Sequence, residues 1–174
     1  MQNIDVTSIL DKAPINKQHF ILVFWCSVIM LFDGYDMVIY GSLLPHLMND
    51  WQLSAQQAGF LGSASLIGMM IGAVTLTIAA DKFGRKRIVL FCTTLFSLAV
   101  LSNCFADNPT NFFICRLFTG IGLGGAIPTM VTIIKEMAPS DYRNRLINFM
   151  LAMYGVGAIL SGLAGLFLIP VLGW

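Results

Sequence analysis

Charge is what this sequence has least of. Only 11% of its 174 residues are Asp, Glu, Lys or Arg, less than half the roughly 25% of an ordinary soluble domain. No stretch interleaves basic residues with aromatics in a polar setting, so nucleic-acid binding has no support. The net charge of +1 carries no information about partners. Cysteine is also sparse. Cys26, Cys92, Cys104 and Cys115 lie in or beside apolar runs, with neither a CxxC pair nor zinc-like spacing. They read as small packing hydrophobes rather than metal or disulfide partners. Catalytic signatures are missing as well: no HExxH or Walker sequence occurs and His19 and His46 stand isolated, so neither a metal site nor an enzyme is expected. His46 reads as a surface group of an outer loop.

What the chain does have is apolar length. Apolar residues make up 57% of it, gathered in five runs at about 18–40, 56–80, 88–106, 112–135 and 146–169. A hydrocarbon core needs about 20 helical residues to cross. The runs lack the strict alternation of barrel strands, and lipid demands that backbone polar groups pair within each span. The expected fold is therefore an all-α integral membrane bundle. Residues 1–17 are polar and read as a cytoplasmic segment, with residues 18–174 forming the membrane domain. The first apolar run is longer than a signal-peptide core and is interrupted by acids, so it reads as the first span.

Basic residues set the orientation. Lys12, Lys17, Lys82, Arg85, Lys86, Arg87, Lys135, Arg143 and Arg145 all fall on one side of the five spans. That side is expected to be cytoplasmic, with the N-terminus inside. Connections at about 41–55 and 107–111 carry Asp50 and Asp107 but no Lys or Arg. Short connections make successive helices antiparallel neighbours. Small residues recur at helix-packing spacing: Ala64, Gly68 and Gly72 on the second span, Gly120 and Gly124 on the fourth, and Gly157, Ser161 and Gly165 on the fifth.

Three charges lie at membrane depth. Asp33 and Asp36 sit in the stretch DGYD, and Arg116 opens the fourth span. Counting the helical rise from either side places all three in the outer half of the bilayer, with Asp33 roughly 22 Å along its helix. The two acids, at i and i+3, share a face. Intramembrane charges mark cavities, partners or ion paths. One acid of such a pair can carry a proton while a guanidinium keeps the other ionised, which suits proton-coupled transport. Arg116 can equally present its fork to a substrate carboxylate, or form a permanent structural ion pair. The sequence alone leaves these open. Gly34 offers a close approach to a ligand or a helix. Tyr35 and Tyr40 read as interfacial anchors or substrate contacts.

The loops carry a family likeness. Between spans two and three the chain reads DKFGRKR, with Asp81, Lys82, Gly84, Arg85 and Lys86. Span four carries Arg116, Gly120, Gly122 and Gly124, and the following loop has Glu136, Pro139 and Arg143. In this order the three motifs resemble those of the major facilitator superfamily of secondary transporters. The first departs from the pattern at Thr77 and Ala79, where the family has glycine and leucine. Asp33-Gly34-x-Asp36 and the leader IDVTSILDKAPINKQHF are similar to the aromatic acid:proton symporters, the benzoate, 4-hydroxybenzoate and muconate permeases of Gram-negative bacteria.

The resemblance implies proton-coupled uptake of a small aromatic carboxylate, benzoate-like, across the bacterial inner membrane. It assigns Asp33, Asp36 and Arg116 to proton coupling or the substrate path. Asp81, Gly84, Arg85 and Lys86 would form a conformational gate, and Gly34, Gly120, Gly122 and Gly124 would serve helix packing. Glu136, Pro139 and Arg143 would form the second inner loop. The implied coupling ion is H+, with no other cofactor, and the implied surroundings are the lipid bilayer. Family members have twelve helices with a central site shared between two halves. These residues are thus expected to be the first five helices of such a protein, an N-terminal fragment whose C-terminal half is the missing partner. The alternatives are another cargo, such as muconate, a dicarboxylate or a sugar, or a truncated fragment that does not transport.

Overall fold

The computed structural model describes residues 16–167. The N-terminal segment before Asn16, including Lys12, and the last seven residues lie outside the described part. Five helices follow one another: α1 (Lys17–Asp50), α2 (Ala55–Phe83), α3 (Arg85–Asn103), α4 (Pro109–Met137) and α5 (Ser140–Phe167). Each is long and apolar enough to cross a membrane. Local signals set their ends. Ser54 and Gln57 form a reciprocal capping box at the start of α2, and Asn108 caps α4 with Pro109 in its first turn. Such caps satisfy amide groups that helix geometry leaves unpaired. Gly84 joins α2 to α3 at φ 95°, a backbone region that side chains other than hydrogen tolerate poorly.

α1 continues well past the apolar run that announced it. Residues 41–50, read from sequence as a connection, are its last turns, and His46 is an exposed helical residue rather than a loop group. Polar residues end an apolar run without ending a helix, because backbone hydrogen bonds continue into water.

The two tightest pairings join helices that are not successive. α2 lies along α4, and α1 lies along α5. Gly34 abuts the Tyr154 backbone while Gly165 meets Ser42, so chain numbers rise together and α1 and α5 run parallel. Gly68 and Gly72 likewise face Leu117 and Ile121, with Gly120 and Gly124 facing Ser65 and Met69. A Cβ at Gly34, Gly68, Gly72, Gly120 or Gly124 would strike the neighbouring backbone. Small residues permit such approach, and they lie on the facing sides of α1 and α5 and of α2 and α4, which is why those helices pair.

The three motif glycines of α4, Gly120, Gly122 and Gly124, divide their work by angle. Two residues turn a helix by about 200°, so Gly122 points away from Gly120 and Gly124. It faces Cys92 and Phe96 of α3 instead. One motif therefore seats two neighbours on α4.

Two apolar clusters flank the middle of the bundle. Towards the end rich in Lys and Arg, Val23, Cys26 and Met30 of α1 meet Met130 and Ile134 of α4 and Met150 of α5. At the opposite end Leu47, Leu61 and Phe112 form a smaller cluster with Tyr40 and Trp51 at its edge. The buried charged residues of α1 and α4, Asp33, Asp36 and Arg116, lie between them.

Candidate functional site

Asp36 and Arg116 meet. Arg116 Nη1 donates to Asp36 Oδ2 at 2.7 Å, joining α1 to α4 where these helices otherwise touch little. Both residues are buried, Arg116 at 3% and Asp36 at 8% exposure. A buried carboxylate stripped of its guanidinium would leave an uncompensated charge in an apolar setting. The opposite charges therefore hold one another at this depth.

Asp33 does not join the pair. It is 1% exposed, and its Oδ1 has no hydrogen-bond partner among the described residues. The acids share a side of α1, yet three residues advance about 4.5 Å along the axis and leave about 60° between them. One guanidinium, arriving at the level of Asp36, serves that acid alone. Gly34, between them, seats the α5 backbone at Tyr154, so the approach it permits is that of a helix.

Arg116 is held from a second side by Tyr40, a residue whose role the sequence left open between anchor and contact. The Arg116 guanidinium carbon stands 4.8 Å from the Tyr40 ring centre. The Tyr40 hydroxyl donates to the Ala58 carbonyl of α2 at 2.6 Å. The signal for this was in the spacing: Tyr40 follows Asp36 by four residues, one turn on along the same face. Asp36, Tyr40 and Arg116 line a cavity of about 620 Å³ together with Asn103 and Phe112. Two of the lining residues each have a buried polar atom, Arg116 Nε and Asn103 Oδ1, with no partner among the described residues. A larger cavity of about 750 Å³, lined by Gln56, Phe60, Ser63 and Phe113 among others, contains no charged group.

A second polar cluster occupies the basic end. Arg85, at the start of α3, reaches Asp81 at 3.3 Å and pairs with Glu136 at the end of α4. Gly84 supplies the reversal between Asp81 and Arg85. Lys86 is exposed beside them. Pro139 is buried, its carbonyl accepts the Arg143 amide at 3.0 Å, and Arg143 Nη2 donates to the Ala138 carbonyl at 3.3 Å. Asp81, Arg85 and Glu136 thus come together, while Arg143 turns back on its own loop.

His19 was isolated in sequence but not in space. Its Nδ1 accepts the Asn16 amide at 3.0 Å, so Nε2 carries the hydrogen and donates to the Met137 carbonyl at 2.9 Å. The start of α1 is thereby tied to the end of α4. No spacing rule links residues that far apart in the chain.

Comparison with known proteins places this geometry. The Major Facilitator Superfamily model matches residues 26–174. The chain is 39% identical over 171 residues to a gallate transporter of Pseudomonas putida, covering 98% of this chain and 38% of that protein. It is 34% identical over 178 residues to a benzoate transport protein of Acinetobacter baylyi, covering 99% of this chain and 38% of the relative. A 4-hydroxybenzoate transporter of the same organism is 33% identical over 172 residues, at 99% and 38% coverage. The chain thus spans about two-fifths of the length of these relatives. Membrane helices, the glycine-seated α4 and a family model covering most of the chain agree: this chain belongs to the Major Facilitator Superfamily, a family of transporters and not of enzymes.

Proposed function

We propose that this chain is part of a bacterial inner-membrane transporter that takes up small aromatic carboxylates together with protons. The observation that carries the reading is the buried Asp36–Arg116 pair beside a buried Asp33 whose Oδ1 has no partner among the described residues. The cargo class rests on the relatives, whose names give benzoate, gallate and 4-hydroxybenzoate. These share an aromatic ring bearing a carboxylate. The basic end faces the cytoplasm in this reading, by the distribution of Lys and Arg.

In the mechanism we assign, Asp33 carries the coupled proton and Asp36 holds Arg116. Charge at this depth is tolerated only while it is paired or faces water. Arrival of an anionic cargo gives the guanidinium a second carboxylate, and a proton on an acid compensates the added negative charge. Arg85 with Asp81 and Glu136 forms a latch between the α2–α3 turn and α4 at the cytoplasmic end. Here the gate role is assigned to charges that water reaches, so it opens at low cost.

The reading is tested by uptake of labelled benzoate, 4-hydroxybenzoate and gallate in cells carrying the full-length protein. At least one is expected to accumulate, to be displaced by the others and to ignore neutral sugars. Accumulation of a sugar, with none of the aromatic acids competing, would overturn the cargo class.

A further inference from the structure

Tyr40 is fixed on three sides. Its hydroxyl donates to the Ala58 carbonyl of α2 at 2.6 Å. Its ring stacks with Phe112 of α4, at 6.2 Å between centres and 26° between planes. The guanidinium of Arg116 stands over the ring at 4.8 Å. Gly62 of α2 leaves the room, because a Cβ there would meet the Tyr40 ring at 2.8 Å. Phe112 precedes Arg116 by four residues, so the stacked ring and the guanidinium rise on one face of α4.

Arginine is long and flexible, and here it borders a cavity of about 620 Å³. A single hydrogen bond from Nη1 to Asp36 fixes one end of the guanidinium and leaves its plane free to swing. An aromatic face attracts the cation electrostatically, more strongly where water is excluded. The hydroxyl tether to α2 fixes that face in turn. Nothing about Tyr40 requires contact with the cargo.

We propose that Tyr40 is a positioning residue: tethered to α2, its ring orients Arg116 so that Nη1 meets Asp36 while the side chain lines the cavity. Tyr40 thereby sets the balance between the two partners of Arg116, the acid of α1 and the incoming carboxylate. This deepens the proposed transport function and rests on it.

The test uses full-length protein in proteoliposomes, with Tyr40→Leu removing the ring and Tyr40→Phe removing only the tether. Tyr40→Met takes the place of Tyr40→Leu if the latter does not accumulate. Gradient-driven benzoate uptake is compared with benzoate counterflow, which needs no net proton movement. The infrared band of the Asp36 carboxylate, assigned with Asp36→Asn, is recorded in parallel. Tyr40→Leu is expected to lower gradient-driven uptake by about tenfold, to lower counterflow by less, and to shift the Asp36 band. Tyr40→Phe is expected to lose less uptake, about threefold, and to leave the band near its original place. An equal rise of KM in both transport modes, with no band shift, overturns the proposal by making Tyr40 a cargo contact. Failure of the wild type to respond to a gradient would sink the transport reading instead. The infrared band then decides the role of Tyr40 alone: a shift with Leu but not Phe supports positioning, and any other pattern overturns it.

Discussion

Two arginines of this bundle each face carboxylates, and they do so under opposite conditions. Arg116 and Asp36 keep only 4% and 11% of their side chains exposed, between two apolar clusters. Arg85 and Asp81 keep 27% and 68% exposed, at the end where the helices turn. Water already solvates the Arg85 cluster, so its net worth is small and salt screens it. The Arg116 side chain is only 4% exposed, so removing its partner strands a charge. The same pair of residue types is therefore partly solvated in one place and almost wholly buried in the other.

The largest effect is expected from breaking the buried pair on one side. Arg116→Leu should destabilise the protein by about 3–5 kcal/mol, seen as a lower midpoint of thermal aggregation in detergent. Replacing both partners, Asp36→Leu with Arg116→Leu, should recover most of that loss, because no charge is left stranded. Equal melting of the single and double variants would show that the pair is not electrostatically coupled.

Next in size is the packing that brings α4 to its neighbours. Gly120→Val should cost about 1–3 kcal/mol or more, since a Cβ there meets the Ser65 carbonyl of α2. Gly162→Ala is the control: that glycine has open space around it, and the change should be neutral or gain up to about 1 kcal/mol of helix propensity. At the α2–α3 turn, Gly84→Ala should cost about 1–3 kcal/mol because of its positive φ, read in the same melting assay. The smallest effect belongs to Arg85→Gln, at most about 1 kcal/mol. Raising the salt should erase the difference between that variant and wild type. A salt-resistant loss of several kcal/mol there would collapse the contrast between the two arginines.

How much of this was legible in the sequence follows from the range of each interaction. Helices announce themselves by the length of apolar runs, a local property, so all five could be read. Their pairing could not: parallel α1–α5 and α2–α4 contacts join glycines far apart in the chain, while short loops suggested successive neighbours. The meeting of Asp36 with Arg116 was within reach, because helical rise counted from both membrane faces puts them at one level. Which acid would be chosen was not, since i and i+3 share a face without sharing a partner. Tyr40 and Phe112 stand one turn from Asp36 and Arg116, a spacing visible beforehand. The His19 link to Met137 had no local sign, as it depends on where two helix ends arrive.

The most direct test of the central claim is gradient-driven against counterflow transport of labelled benzoate by Asp33→Asn in proteoliposomes of the full-length protein. An amide at this position carries no coupled proton, so gradient-driven uptake is predicted to fall by at least about tenfold, with counterflow reduced less. Uptake that follows the pH gradient as in the wild type would contradict the claim that Asp33, beside the buried Asp36–Arg116 pair, carries the coupled proton.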